Sequence, residues 1–160
     1  LFFPALERAG RGLAAVESLA ALCKTSLHAT AIRYTQCTRD PVAIVVSVGS
    51  RIDHCFMSEA LKSVDGIDWI RKREAVPRNT PTFAFNQDVE NVRRAVRVDE
   101  TSTLQDWFGG SRSVEICEDV IGLGSYGKTL TVLYDIALPD DDEEEDEGFL
   151  IESWTPRFRR

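Results

Sequence analysis

Gly122 to Thr129, "GLGSYGKT", is the run of this 160-residue chain whose residue types and spacing come nearest to chemistry. It satisfies G-x-x-x-x-G-K-[ST], and its first six residues also satisfy G-x-G-x-x-G. A phosphate loop of that form needs glycines so that backbone N–H groups can surround a phosphate. Lys128 would then meet the terminal phosphates and Thr129 a magnesium ion. Gly122, Gly127, Lys128 and Thr129 are therefore the candidate cofactor-binding residues. Such a loop also needs a buried strand before it and a helix after it, because the helix N-terminus favours the anion. The flanks read otherwise. "VEICEDVI" places Glu115, Glu118 and Asp119 close to any phosphate, and "TLTVLYDIAL" alternates with period two and is rich in β-formers. A hairpin turn needing positive φ explains the glycines better, and no cofactor is expected in this chain.

Other constellations are weaker. His28 and His54 are the only histidines, and neither Cys-x-x-Cys nor H-E-x-x-H occurs. Cys23, His28 and Cys37 are close in sequence but match no closed four-ligand zinc set, so no metal ligand is assigned. There is no G-x-S-x-G, and Ser125 has no evident base, so no catalytic residue is assigned either. The remaining chemistry is recognition. Two short helices joined at Lys24-Thr25-Ser26 have the order of a helix-turn-helix, whose second helix would offer Ser26, His28, Thr30, Arg33 and Gln36 to a DNA groove. Lys24 and Arg33 are the two cations there, which is few where phosphate neutralisation supplies much of the affinity. A helical hairpin that packs domains together is the expected use of this segment.

The elements that must position these residues can be read from periodicity. Leu13, Val16, Leu19, Ala20 and Cys23 repeat at helical spacing, and Ser26 is placed to cap a second helix carrying Leu27, Ala31, Ile32 and Tyr34 inward. That helix should stop before Pro41. Val42–Val48 is a β-branched run suited to a strand buried on both faces, followed by a Gly49-Ser50 turn and a second strand from Arg51 to Met57. Ser58 is placed to cap a short helix through Leu61. Phe83 with Phe85, and Val92 with Val96 and Val98, alternate and predict strands. Ser102–Phe108 predicts a helical turn ended by Gly109-Gly110, and Val114–Ile121 with Leu130–Leu138 predicts a closing hairpin. The expected class is α+β: a helical, helix-turn-helix-like segment over 1–40, an α+β domain with an antiparallel sheet of five or six strands over 41–138, and a tail over 139–160.

Composition sets the outer bounds. With 43% hydrophobic residues the chain can bury one core. The net charge of −7 is concentrated: setting aside the eight acids of residues 140–147, "DDDEEEDE", leaves the rest at +1. Such a block predicts a solvated, disordered stretch that disfavours contact with nucleic acid or anionic membrane. No apolar run approaches a membrane span, and Glu7, Arg8, Arg11 and Glu17 interrupt any signal-peptide core. Cytoplasmic location is expected, with the four cysteines reduced and acting as small hydrophobes.

"LAAVESLAALCKTSLHATAIRYTQ" followed by "PVAIVVSVGSRI" resembles the region beyond the catalytic domain in ImmA/IrrE-type zinc metallopeptidases. "DWFGG", "LGSYGKTLTVL" and "WTPRFRR" look like later parts of the same proteins, so the likeness extends from about Leu13 onward. It implies a GAF-like sensory domain over 41–138, behind a helix-turn-helix-like segment. It also implies a parent whose N-terminal peptidase domain carries an H-E-x-x-H helix and zinc, and which acts on a DNA-binding repressor in stress or mobile-element regulation. This chain matches no H-E-x-x-H, and Leu1 is expected to begin just after the catalytic region. No catalytic or zinc residue is carried over. The chain by itself is expected to be inactive, with its own catalytic domain and a repressor protein as partners.

Overall fold

The computed structural model describes residues 10–110 and 114–137. Among these residues five strands form one antiparallel sheet: β1 (Ala43–Val48), β2 (Arg51–Met57), β3 (Arg97–Thr103), β4 (Glu115–Gly122) and β5 (Thr129–Tyr134), in the order β2-β1-β5-β4-β3. The most apolar runs occupy the middle. β1 and β5 have neighbours on both edges and layers on both faces, so nearly every residue in them is buried. The edges are polar or covered. β3 reads RVDETST and is mostly exposed, while the start of β2 is bridged by residues 73–76 through Ile52 N–H to Glu74 and Val76 N–H to Ser50.

One face is covered by α1 (Gly12–Cys23) and α2 (Leu27–Cys37). Leu13, Val16 and Leu19 of α1 and Ala31 and Tyr34 of α2 share a core with Ile44, Val46, Leu130 and Val132 of the sheet. α1 ends at Lys24 in the left-handed region, and Ser26 Oγ accepts the Ala29 N–H to start α2. The other face is covered by short helices: α3 (Glu59–Lys62), α4 (Pro81–Asn86), α5 (Val89–Arg93) and α6 (Leu104–Phe108). Leu61, Val76, Leu104, Trp107 and Phe108 pack there against Ala43, Val45, Ile116 and Leu133, and Phe85 and Val92 pack on Val120. The protein is thus an α+β sandwich of three layers.

Two expected strands are corrected. Phe83 and Phe85 lie in α4 and Val92 in α5, and only Val98 is in a strand. The local signals that prevail are a Thr80 side chain capping Phe83 N–H, proline in the first turn, and Asp88 capping Glu90 N–H. The hairpins on either side of Gly49-Ser50 and across the glycine turn form, but β5 stops short of the expected Leu138, at Tyr134, and Asp135 turns to φ +54°. The acidic block and the aromatic-basic "WTPRFRR" lie outside the described residues.

Candidate functional site

The glycine turn sits at the end of the sheet nearest the first turn of α2, and a cleft of about 490 Å³ opens between them. β4 ends at Gly122, a one-turn 3₁₀ segment spans Gly124–Tyr126, and β5 starts at Thr129. Leu123 N–H donates to the Lys128 carbonyl and Gly127 N–H to the Gly124 carbonyl, closing the turn. Gly124 and Gly127 have φ of +63° and +71°, the left-handed region that favours glycine. Gly122 serves a different purpose. A Cβ there would stand 2.6 Å from the Asn91 carbonyl oxygen and 2.6 Å from Val92 Cα, so its lack of a side chain lets α5 close on β4.

The candidate phosphate-loop residues are drawn into protein contacts. Lys128 Nζ donates to Asp53 Oδ2 at 2.9 Å, and the Thr129 hydroxyl donates to Asn86 Oδ1 at 2.6 Å. Thr129 opens the strand β5, so no helix follows the turn as a phosphate loop requires.

Asp53 reaches Lys128 because of a β-bulge. Val46 pairs with His54 and Ser47 with Ile52, leaving Asp53 as the extra residue. In a regular strand Asp53 and His54 would point to opposite faces; here Asp53 Oδ2 lies 3.1 Å from His54 Nδ1. The His54 ring in turn stacks parallel to Phe56, with centroids 5.9 Å apart. The Lys128 hydrogen bond, more than the His54 contact, holds the Asp53 carboxyl below its ordinary value. His28, in the first turn of α2, lines the cleft with Lys128. Burial, then the charge on Lys128, pushes the His28 pKa down and favours the neutral imidazole. Both histidines of the chain therefore belong to one polar group around Asp53 and Lys128. Their juxtaposition was missed in the sequence because it depends on the bulge.

Apart from Ser26 and the glycines, the remaining walls of the cleft are apolar or aromatic, from Leu27, Ala95, Ile121, Leu123 and Tyr126. Tyr126 is 77% exposed at the rim. The sequence matches no protein-family model and no curated protein.

The other candidates are scattered. Lys24 and Arg33 are exposed, but Thr30, expected on the same outward face, is buried with its hydroxyl 2.5 Å from that of Thr25. Cys23 closes α1 and Cys37 closes α2, about 14 Å along the helix from His28. Among the described residues no three His, Cys, Asp or Glu side chains converge as a metal site. All four cysteines are free, and burial pushes the Cys55 thiol up to about 12, where it holds its proton. No helix of the described residues is long and apolar enough to cross a membrane.

Among the described residues the two most buried acids lie next to each other on β4. Glu118 accepts from Thr82 N–H at 2.9 Å, from the Thr82 hydroxyl at 2.5 Å and from Trp107 Nε1 at 2.8 Å. The Thr82 hydroxyl has one proton, so the Thr131 hydroxyl 2.7 Å away is the donor in that pair. Asp119 faces the opposite layer and accepts from Leu13 N–H at 3.1 Å. Together they fasten both helical layers to one strand.

Proposed function

We propose that this chain is the regulatory, sensory region of an ImmA/IrrE-like zinc metallo-endopeptidase acting in transcriptional or stress control. In this reading residues 41–138 form a GAF-like domain, the helical pair joins it to the peptidase domain, and the work is cytoplasmic. Peptide cleavage and zinc belong to that other domain, and a DNA-binding repressor is its target. The observation that carries the reading is the fastening of α1 to the sheet. Asp119 of β4 holds the Leu13 N–H in the first turn of α1. Gly12, at φ +67°, allows the Tyr134 ring and Asp119 to come so close that a Cβ would stand 2.4 Å and 2.7 Å from them. β4 then runs from Asp119 to Ile121 and Gly122, which line the cleft. A strand strained or relaxed at the cleft would move the start of α1, the end at which the resemblance places the peptidase. The antiparallel α+β sheet and the order of helix pair and hairpin fit the same reading.

The coding sequence immediately upstream of Leu1 tests it. The expected finding is an in-frame H-E-x-x-H on a helical pattern. A reading frame with no metallopeptidase domain would overturn the proposal.

A further inference from the structure

We propose that the cleft between α2 and the β4–β5 turn binds a small, neutral, mainly apolar molecule carrying one hydrogen-bonding group. The inference deepens the sensory reading above and rests on it for its regulatory consequence, while the binding itself rests on the cleft alone. At about 490 Å³ the cleft falls within the roughly 300–1,000 Å³ of small-molecule sites. Leu27, Ile121, Leu123 and Tyr126 give it an apolar body, and the polar groups gather around His28 and Lys128.

The charges decide the class of ligand. Among the described residues Lys128 is the cation of the wall, and Asp53 already holds it in a 2.9 Å ion pair. An anionic ligand would have to compete with that carboxylate, whereas a neutral one leaves the pair intact. A neutral imidazole at His28 offers one donor and one acceptor, enough to orient a single hydroxyl, amide or ring N–H. Tyr126 supplies the second observation. A large aromatic residue left 77% exposed beside an apolar cleft gains contact area by folding over an occupant. The site also bridges two layers, since Leu27 and His28 begin α2 while Ile121 and Gly122 end β4 and Leu123 to Lys128 form the turn into β5. An occupant would therefore tie the helical pair to β4, the strand that holds α1.

Amide-resolved NMR titration of the whole chain with indole tests the proposal, with indole-3-carboxylate and magnesium-ATP as parallel probes. The expected result is saturable shifts centred on Leu27, His28, Leu123 and Tyr126 with indole, at least tenfold weaker binding of the carboxylate, and none of the nucleotide. Leu27→Trp, which fills the cleft, should weaken indole at least tenfold. Tyr126→Ala, at an exposed site where folding is not at stake, should weaken it severalfold. Absent or non-saturable shifts, shifts scattered away from the cleft, or indole affinity unchanged in Tyr126→Ala would overturn the site. Tighter binding of the carboxylate would overturn the ligand class, and nucleotide binding would make it a phosphate site. Each failure leaves the test on the upstream reading frame unaffected.

Discussion

Glu118 and Asp119 show how two adjacent acids in one strand can serve opposite faces. In Glu118→Gln one oxygen would be replaced by an NH₂ facing donors, either Thr82 or Trp107. The expected loss is about 2 kcal/mol, the scale of a buried donor left without its acceptor, read from the urea midpoint. A midpoint unchanged from the parent would show that the network does not hold α4 and α6. Asp119 carries a pH signature. Burial, only partly offset by the Leu13 N–H and Tyr134 hydrogen bonds, raises its pKa above the ordinary carboxyl value. The folded chain therefore binds this proton more tightly than the unfolded chain does. Its contribution to stability is full below the unfolded pKa, falls as pH rises through the elevated folded value, and is level beyond. Asp119→Asn should remove that decline, so the variant gains on the parent as pH rises through this window in paired urea titrations. A difference that stays constant with pH would contradict the assignment. In the sequence both acids were legible only as neighbours hostile to phosphate. Thr82 lies 36 residues from Glu118 and Leu13 lies 106 from Asp119, and these partners come together only on folding.

Among the elements, those with local punctuation were the most legible. Ser26 and Ser58 cap their helices as their positions suggested, and the β-branched run of β1 occupies the buried centre of the sheet. Ser26→Ala should cost about 1 kcal/mol in the urea midpoint, as for other N-caps, and no loss would mean that packing alone sets the start of α2. α4 was misread because Phe83 and Phe85 alternate over too few residues to define a period. Thr80 and Pro81 carried the better signal. The bulge at Asp53 was not legible, since nothing in "RIDHCFM" distinguishes a regular strand from one with an extra residue. The glycine turn was legible as a turn, yet the role of Gly122 was not, because its reason is the backbone of α5. Gly122→Ala should push α5 from β4 and cost about 1–3 kcal/mol, the range for overpacking. A urea midpoint within experimental error of the parent would refute that close approach as a constraint.

For the whole molecule the structure binds the helical pair and the sheet through a shared core, so they should open together. Amide exchange at Leu19 in α1 and at Val132 in β5 should report the same free energy of opening. Exchange that releases α1 and α2 while β5 stays protected would separate the layers. The α+β class was legible in the sequence as a pattern of periods, but the cleft was not. Its walls come from α2, the turn after α5 and the end of β4, segments that sequence order keeps apart. The claim that unites cleft, strand and helix is that this region regulates a zinc peptidase to which it is covalently joined. The most direct test is the intact mass and zinc content of the native protein, captured from cells with an antibody against residues 12–137. The account predicts a polypeptide longer than 160 residues carrying a single zinc ion. A 160-residue polypeptide without zinc would contradict it.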